Sequence, residues 1–136
     1  MNEDLDKDLK AIQQARRLAE RCRVAQREFA TASAEKVDAV CEAVSRAAFK
    51  EARRLAEMAC AETGYGVVEH KVVKNEFAAR NVWESIRKVP TVGVIERDER
   101  RKMVVMAEPM GVAAALTPST NPTSTAIFKT LIALRR

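Results

Sequence analysis

A short apolar run followed by an apolar helix constrains the fold more than any other feature of this sequence. The run Gly111–Leu116 consists of small apolar residues, which is typical of a parallel strand covered on both faces. From about Thr123 a helix is predicted. Its apolar residues point in nearly every direction, so we expect burial on more than one side. These are Ile127, Phe128, Leu131, Ile132 and Leu134.

A parallel strand with its crossover helix requires a second parallel strand. The sequence reaches Arg136 without one. We therefore expect an α/β protein of which this chain is the N-terminal piece.

The first half of the chain has a different character, because residues 1–63 contain no glycine or proline. Apolar residues recur there at steps of three and four, which predicts amphipathic helices. Ser33 is a plausible N-cap for the second of them, and Gly64 and Gly66 offer the left-handed conformation that ends helices. A further amphipathic stretch over Val68–Lys88 ends before Pro90.

Beyond Pro90 the periodicity changes from helical to strand-like. Thr91–Arg97 and Lys102–Glu108 flank the charged tetrapeptide at 98–101. This pattern predicts an antiparallel hairpin.

Composition excludes several classes of protein. With 47% hydrophobic and 32% charged residues the chain is expected to be globular, and no window has the roughly 18 apolar residues of a spanning helix. The acidic start Met1–Asp6 is unlike a signal peptide, so we expect a cytoplasmic protein without membrane contacts. The net charge of +5 comes from arginines interleaved with acids, which argues against a nucleic-acid surface.

The cysteines and the histidine give no sign of a reactive or metal site. Cys22, Cys41 and Cys60 lie in helical stripes, so we expect reduced, buried thiols. His70 is expected on a helix surface, and no metal-ligand spacing is present.

The segment between the predicted strand and helix carries the candidate chemistry. Asn121 followed by Pro122 is a sound helix start, in which Asn caps free amides. Loops between the carboxyl end of a strand and a helix bind ligands in α/β sheets, and exposed amides favour anions. Ser119, Thr120 and Thr123 add hydroxyls, and the Asn121 amide can donate to a developing oxyanion. The alternative is that Asn121 only caps the helix and the hydroxyls solvate a turn.

Three segments, Ala61–Asn75, Ala107–Gly111 and Leu116–Lys129, resemble the N-terminal part of aldehyde dehydrogenases. The pieces Glu62–Gly64 and Glu108–Gly111 are shared across that superfamily. The run Asn121–Thr125 resembles the corresponding run of the coenzyme A-acylating branch, which includes acetaldehyde and sulfoacetaldehyde dehydrogenases.

The resemblance implies a domain organisation. Residues 1–90 would form the helical N-terminal part of the cofactor-binding domain, and residues 91–109 the hairpin of the oligomerisation region. Residues 110–136 would supply the first strand, loop and helix of a Rossmann-like sheet. A homo-oligomer is implied.

It also implies a chemistry. Family members oxidise a small aldehyde through a cysteine thiohemiacetal, pass hydride to NAD or NADP, and release the acyl group to coenzyme A.

By analogy Thr117, Pro118, Ser119 and Thr120 border the dinucleotide, and Asn121 is the oxyanion donor. The wider superfamily has Pro-Trp-Asn-Phe-Pro here, and an ungapped comparison sets Thr120 opposite its Asn. The family's nucleophilic cysteine would lie beyond Arg136, so we expect no catalysis by this chain alone.

Two other interpretations stay open from the sequence. The chain could belong to the non-acylating dehydrogenase branch, against which only Asn121–Thr125 argues. It could instead be a non-enzymatic helical interaction module with a basic surface.

Overall fold

The computed structural model describes residues 6–135. These residues divide into two compact units, one of residues 6–32 with Pro109–Ala113 and the other of Ser33–Glu108 with residues 114–135. The elements in chain order are α1 Lys7–Phe29, α2 Ala34–Lys50, α3 Ala52–Thr63, α4 Val68–Glu76, a π-helical segment Phe77–Asn81, α5 Val82–Ile86, β1 Gly93–Asp98, β2 Met103–Ala107 and α6 Pro122–Arg135. Among residues 6–135, no helix combines the length and the apolar character needed to cross a bilayer.

Helix α1 has the predicted apolar periodicity but buries none of its residues. Leu9, Ile12 and Leu18 are each about half exposed. Cys22 is exposed too, so the expectation of a buried thiol is wrong there. The periodicity correctly indicated a helix, but burial requires a packed neighbour, which a stripe does not supply by itself.

The predicted signals at the ends of α2 and α3 are confirmed. The Ser33 hydroxyl accepts a hydrogen bond from the Lys36 amide at 3.3 Å, as an N-cap does. Gly64 ends α3 with a left-handed φ of 69°, and its amide donates to the Cys60 carbonyl at 2.9 Å.

The core of the larger unit lies among α2, α3, the segment from α4 to α5, and α6. Small side chains dominate it, which lets the helices approach closely. Its buried hydrophobic residues are Val37, Cys41, Ala52, Ala56, Ala59, Ala78, Ala79, Val82, Trp83, Ile127 and Leu131. Cys41 is fully buried, as expected, whereas Cys60 is only partly so.

The amphipathic stretch predicted over Val68–Lys88 is interrupted by the π segment. Ser45 of α2 is buried, and its hydroxyl donates to the Ala79 carbonyl at 2.9 Å. The Arg80 guanidinium lies 3.8 Å from the centroid of the Phe49 ring. The π turn shifts the helical register, and the bond from Ser45 satisfies a carbonyl at this irregularity.

Helix α6 buries one face only, which corrects the expectation of burial on several sides. Ile127, Leu131 and Arg135, four residues apart, are buried, whereas Phe128 is 45% exposed. Arg135 contacts the Asp38 carboxylate, and its guanidinium also donates to the carbonyls of Arg87 and Val89 at 2.7 and 2.8 Å. Burial lowers the pKa of this guanidinium.

The predicted hairpin is confirmed. Strands β1 and β2 pair antiparallel from Gly93 opposite Ala107 to Asp98 opposite Met103, with a bulge between Val94 and Glu96. The Asp98 carboxylate accepts from the Arg101 amide at 2.9 Å and closes the turn. Most apolar residues of the hairpin remain exposed.

The segment predicted as a parallel strand, Gly111–Leu116, forms no ladder with any described residue, since the sheet contains only β1 and β2. Leu116 is 86% exposed. A strand exists through hydrogen bonds to a neighbour, so an apolar run alone does not create one.

Candidate functional site

The candidate site is the loop from Thr117 to Asn121 and the first turn of α6. The Asn121 amide donates to the Pro118 carbonyl at 3.3 Å, and the Thr125 amide donates to the Asn121 carbonyl at 3.2 Å. Pro122 occupies the first helical position, where the missing amide costs no hydrogen bond. The predicted Asn-Pro helix start is therefore confirmed, with α6 beginning at Pro122, one residue before the Thr123 from which the helix was expected.

Helix α4 holds this loop through three side chains on one face. Lys71, Lys74 and Asn75 stand at i, i+3 and i+4, which neighbour each other on a helix. The Lys71 ammonium donates to the Thr120 carbonyl at 2.7 Å, and the Lys74 ammonium to Asn121 Oδ1 at 2.9 Å. The Thr123 hydroxyl donates to Asn75 Oδ1 at 2.9 Å. The loop is thus fixed at residues 120, 121 and 123.

Two of these α4 residues are themselves anchored in the core. Asn75 is fully buried, and its Nδ2 donates to the Ala52 carbonyl at 2.9 Å. Lys71 is 4% exposed, and its side chain passes Gly66, where an added Cβ would lie 3.3 Å from Lys71 Cε. Gly66 also has a φ of 80°. This glycine therefore accommodates both a left-handed backbone and the stem of Lys71.

The side chain of Asn121 has a different role from the cap expected for it. Its Oδ1 accepts from Lys74, and its Nδ2 donates to the Thr120 hydroxyl at 3.3 Å. Asn121 therefore contributes its backbone carbonyl to the helix start and keeps its carboxamide for side-chain contacts. A carboxamide has two N–H groups, so the bond to Thr120 leaves one for another acceptor.

The surroundings of this loop favour negative charge. Two ammonium groups, those of Lys71 and Lys74, reach residues 120 and 121 beside the positive end of the α6 dipole. The other predicted site residues, Thr117, Pro118 and Ser119, are exposed next to them. This donor set fits an anionic group of a cofactor or a developing oxyanion.

Sequence reasoning missed Lys71, Lys74 and Asn75 as contributors to the site. A signal was present, because Lys71 and Asn75 share a helical face with the apolar positions Ala78, Ala79 and Val82. A lysine and an asparagine on a buried stripe need polar partners. The pattern could not say that the loop partners of these two side chains lie 48 and 49 residues further along the chain.

The remaining titratable candidates do not converge on this loop. His70 is exposed on α4, as expected. Burial raises the pKa of the Cys41 thiol. Within residues 6–135, no three His, Cys, Asp or Glu side chains come together as a set of metal ligands would.

Comparison with known proteins decides the family. The aldehyde dehydrogenase family model matches residues 6–135. The chain belongs to the aldehyde dehydrogenase family. The predicted family is thereby confirmed.

The relatives of this aldehyde dehydrogenase chain include acylating enzymes. This chain is 44% identical over 118 residues to the bifunctional aldehyde-alcohol dehydrogenase AdhE of Escherichia coli, and the match covers 87% of this chain and 13% of that protein. It is 42% identical over 117 residues to the acylating sulfoacetaldehyde dehydrogenase of Cupriavidus necator, covering 85% of this chain and 24% of that protein. The chain therefore spans about an eighth to a quarter of the length of these relatives.

A solved structure confirms the fold class. The acetylating aldehyde dehydrogenase from Geobacillus thermoglucosidasius superimposes with a TM-score of 0.94 at 47% identity, over 96% of this chain and 29% of that one. The helices and two-stranded sheet described above thus correspond to part of an α/β aldehyde dehydrogenase domain.

Proposed function

We propose that this chain forms part of an NAD(P)-dependent, coenzyme A-acylating aldehyde dehydrogenase, which converts an aldehyde, coenzyme A and NAD(P)⁺ into an acyl-coenzyme A, NAD(P)H and a proton. The observation that carries the proposal is the position of the Asn121 carboxamide beside the first turn of α6. Its Oδ1 accepts a hydrogen bond from Lys74, and one of its two N–H groups remains able to donate to another acceptor. The similarity to acetylating and acylating enzymes supports the choice of branch.

Asn121 acts in this proposal as the oxyanion donor. As a thiolate adds to the aldehyde carbon, the carbonyl oxygen gains negative charge. A preorganised amide N–H stabilises that charge more than it stabilises the neutral carbonyl, and it thereby lowers the barrier. Asn121 belongs to a loop that α4 fixes by three hydrogen bonds, so little reorganisation accompanies the reaction.

Thr117, Pro118, Ser119 and Thr120 would border the dinucleotide. The cofactor, when bound, supplies the hydride acceptor. The exposed hydroxyls of Thr117 and Ser119 can donate to its polar groups, while Lys71 holds the Thr120 carbonyl in place. We further propose that the enzyme is cytoplasmic, as the acidic start of the sequence suggests, and that it is a homo-oligomer, as the family resemblance implies.

The chain by itself is proposed to be inactive, because none of its cysteines matches the motif of the family's nucleophile. Cys41 is fully buried with a raised pKa, which disfavours the thiolate. The Cys60 thiol lies 3.7 Å from the Tyr65 carbonyl oxygen, at the end of α3. Purified chain mixed with acetaldehyde, NAD⁺ and coenzyme A should form no NADH above the background rate.

A chimera tests the positive half of the proposal. The matching segment of the Geobacillus enzyme, 29% of that chain, is replaced by this one, and NADH formation is measured with acetaldehyde and coenzyme A. We expect coenzyme A-dependent turnover, because the two backbones superimpose closely. A soluble, correctly assembled chimera that binds NAD⁺ but gives no acyl-coenzyme A would refute it.

Two neighbouring substitutions in the chimera identify the oxyanion donor. Asn121→Ala should lower kcat by about 10²–10³-fold, as removal of an oxyanion-hole donor does elsewhere. Thr120→Ala should have a smaller effect, since it removes a hydroxyl that accepts from Asn121. If Thr120→Ala proves the more damaging, the ungapped alignment with the wider superfamily is correct and Asn121 is not the donor.

A further inference from the structure

We infer that Lys74 is a positioning residue, which sets the orientation of the Asn121 carboxamide so that its N–H end faces the developing oxyanion. The inference rests on the proposed function of Asn121. Its structural basis is the hydrogen bond of 2.9 Å from Lys74 Nζ to Asn121 Oδ1, between residues 47 positions apart in sequence.

The chemistry of the two side chains allows only one arrangement. A lysine ammonium has three donors and no acceptor, whereas a carboxamide has an acceptor end and a donor end. Only Oδ1 of Asn121 can therefore face Lys74. The Nδ2 group is directed elsewhere, and the Thr120 hydroxyl accepts one of its hydrogens at 3.3 Å.

Without Lys74 the carboxamide would have two accessible orientations. The terminal torsion of asparagine is broad and nearly two-fold, so a half-turn exchanges Oδ1 and Nδ2. In the exchanged state the amide oxygen would face the substrate and repel an oxyanion. Lys74 excludes this state, and its charge also polarises the amide so that the free N–H becomes a stronger donor.

Of the three α4 residues that contact the loop, two support it and one orients the Asn121 carboxamide. Lys71 and Asn75 are buried and hold a backbone carbonyl and the Thr123 hydroxyl. Lys74 is exposed and contacts the functional carboxamide itself. Replacing Lys74 therefore changes the orientation of Asn121 without opening the core.

Kinetics of the chimera test the inference first. Lys74→Met should lower kcat about tenfold, less than full loss of the donor, while KM for the aldehyde stays unchanged. Lys74→Arg should restore most of the rate, because a guanidinium also only donates. Lys50→Met, which removes an exposed lysine at the end of α2, is the matched control and should leave kcat unchanged.

A double-mutant cycle separates positioning from a general effect of charge. In an Asn121→Ala background, Lys74→Met should cause no further loss of kcat, since no carboxamide is left to orient. The inference would be overturned if the double variant lost kcat by the product of the two single-variant losses.

An NMR measurement on the 136-residue chain does not depend on catalysis. The order parameter of the Asn121 side-chain Nδ2 should be high in the unaltered chain and with Lys74→Arg, and should fall below about 0.6 with Lys74→Met. An unchanged order parameter with Lys74→Met would overturn the inference. An inactive unsubstituted chimera would instead count against the proposed function, and the order parameter would still decide whether Lys74 positions Asn121.

Discussion

The helical part of the larger unit and its β-hairpin use similar apolar residues with opposite results. In the helices Cys41, Ala56 and Leu131 reach zero exposure, whereas in the hairpin Met103, Val104 and Met106 are 50–56% exposed. Helices satisfy their backbone internally, so they need only pack one stripe each. A two-stranded ribbon has two faces and two free edges and cannot cover them by itself.

The difference shows which part of this chain buries its own apolar residues and which part leaves them exposed. The helical part also satisfies its buried polar groups, as the bonds from Ser45 to Ala79 and from Asn75 to Ala52 show. The exposed apolar faces of the hairpin are of the kind that marks protein interfaces. This is consistent with its predicted place in the oligomerisation region, which stays a prediction.

The largest expected effect concerns Leu131, the biggest fully buried side chain of the helical part. Leu131→Ala should lower the free energy of unfolding by about 2–5 kcal/mol, because it removes buried methyl groups and leaves a cavity. The measurement is urea denaturation followed by circular dichroism. Phe128→Ala on the exposed side of α6 is the control, and equal losses for both variants would contradict the one-sided burial of this helix.

A second variant probes the buried polar contacts. Asn75→Ala removes the partner of both the Ala52 carbonyl and the Thr123 hydroxyl, and should destabilise the chain by about 1–3 kcal/mol. Asn81→Ala, which alters an exposed asparagine at the end of the π segment, should have little effect. A neutral Asn75→Ala would show that water replaces these bonds without cost.

The cysteines give a comparison between an exposed and a buried thiol. Iodoacetamide should modify Cys22 rapidly and Cys41 only after unfolding, as followed by mass spectrometry of digested chain. Because burial raises the folded-state pKa of Cys41 above the ordinary 9.0, its contribution to stability is present below pH 9.0 and is lost as the pH rises beyond it. Cys41→Ala should therefore remove the part of the stability loss at alkaline pH that this thiol causes. Rapid labelling of native Cys41 would contradict its burial.

The smallest effect is expected in the hairpin. Val104→Thr keeps the β-branched shape, and with half of the side chain exposed it should change the free energy of unfolding by less than about 0.5 kcal/mol. Urea denaturation of this variant beside Leu131→Ala gives the contrast directly. A loss comparable to that of Leu131→Ala would erase the distinction between the two regions.

Local signals in the sequence predicted most of the elements. The cap at Ser33, the helix end at Gly64, the hairpin over 91–108 and the helix start at Pro122 follow from preferences that act within a few residues. The family resemblance was equally local, since it depended on short runs such as Asn121–Thr125.

Burial and contact depended on the tertiary structure. The sequence predicted helical stripes at Cys22 and Phe128, but both residues are exposed, since exposure depends on which neighbours pack there. Gly111–Leu116 has the composition of a buried strand yet forms no ladder in the described chain, because strands are made by their partners.

The candidate site shows the same division. Sequence alone determined that Asn121 precedes a helix and offers a carboxamide, because capping and proline preferences are properties of adjacent residues. Only the tertiary structure decided that Lys74 turns that carboxamide away from capping, since hydrogen bonds between segments 47 residues apart depend on how the helices pack.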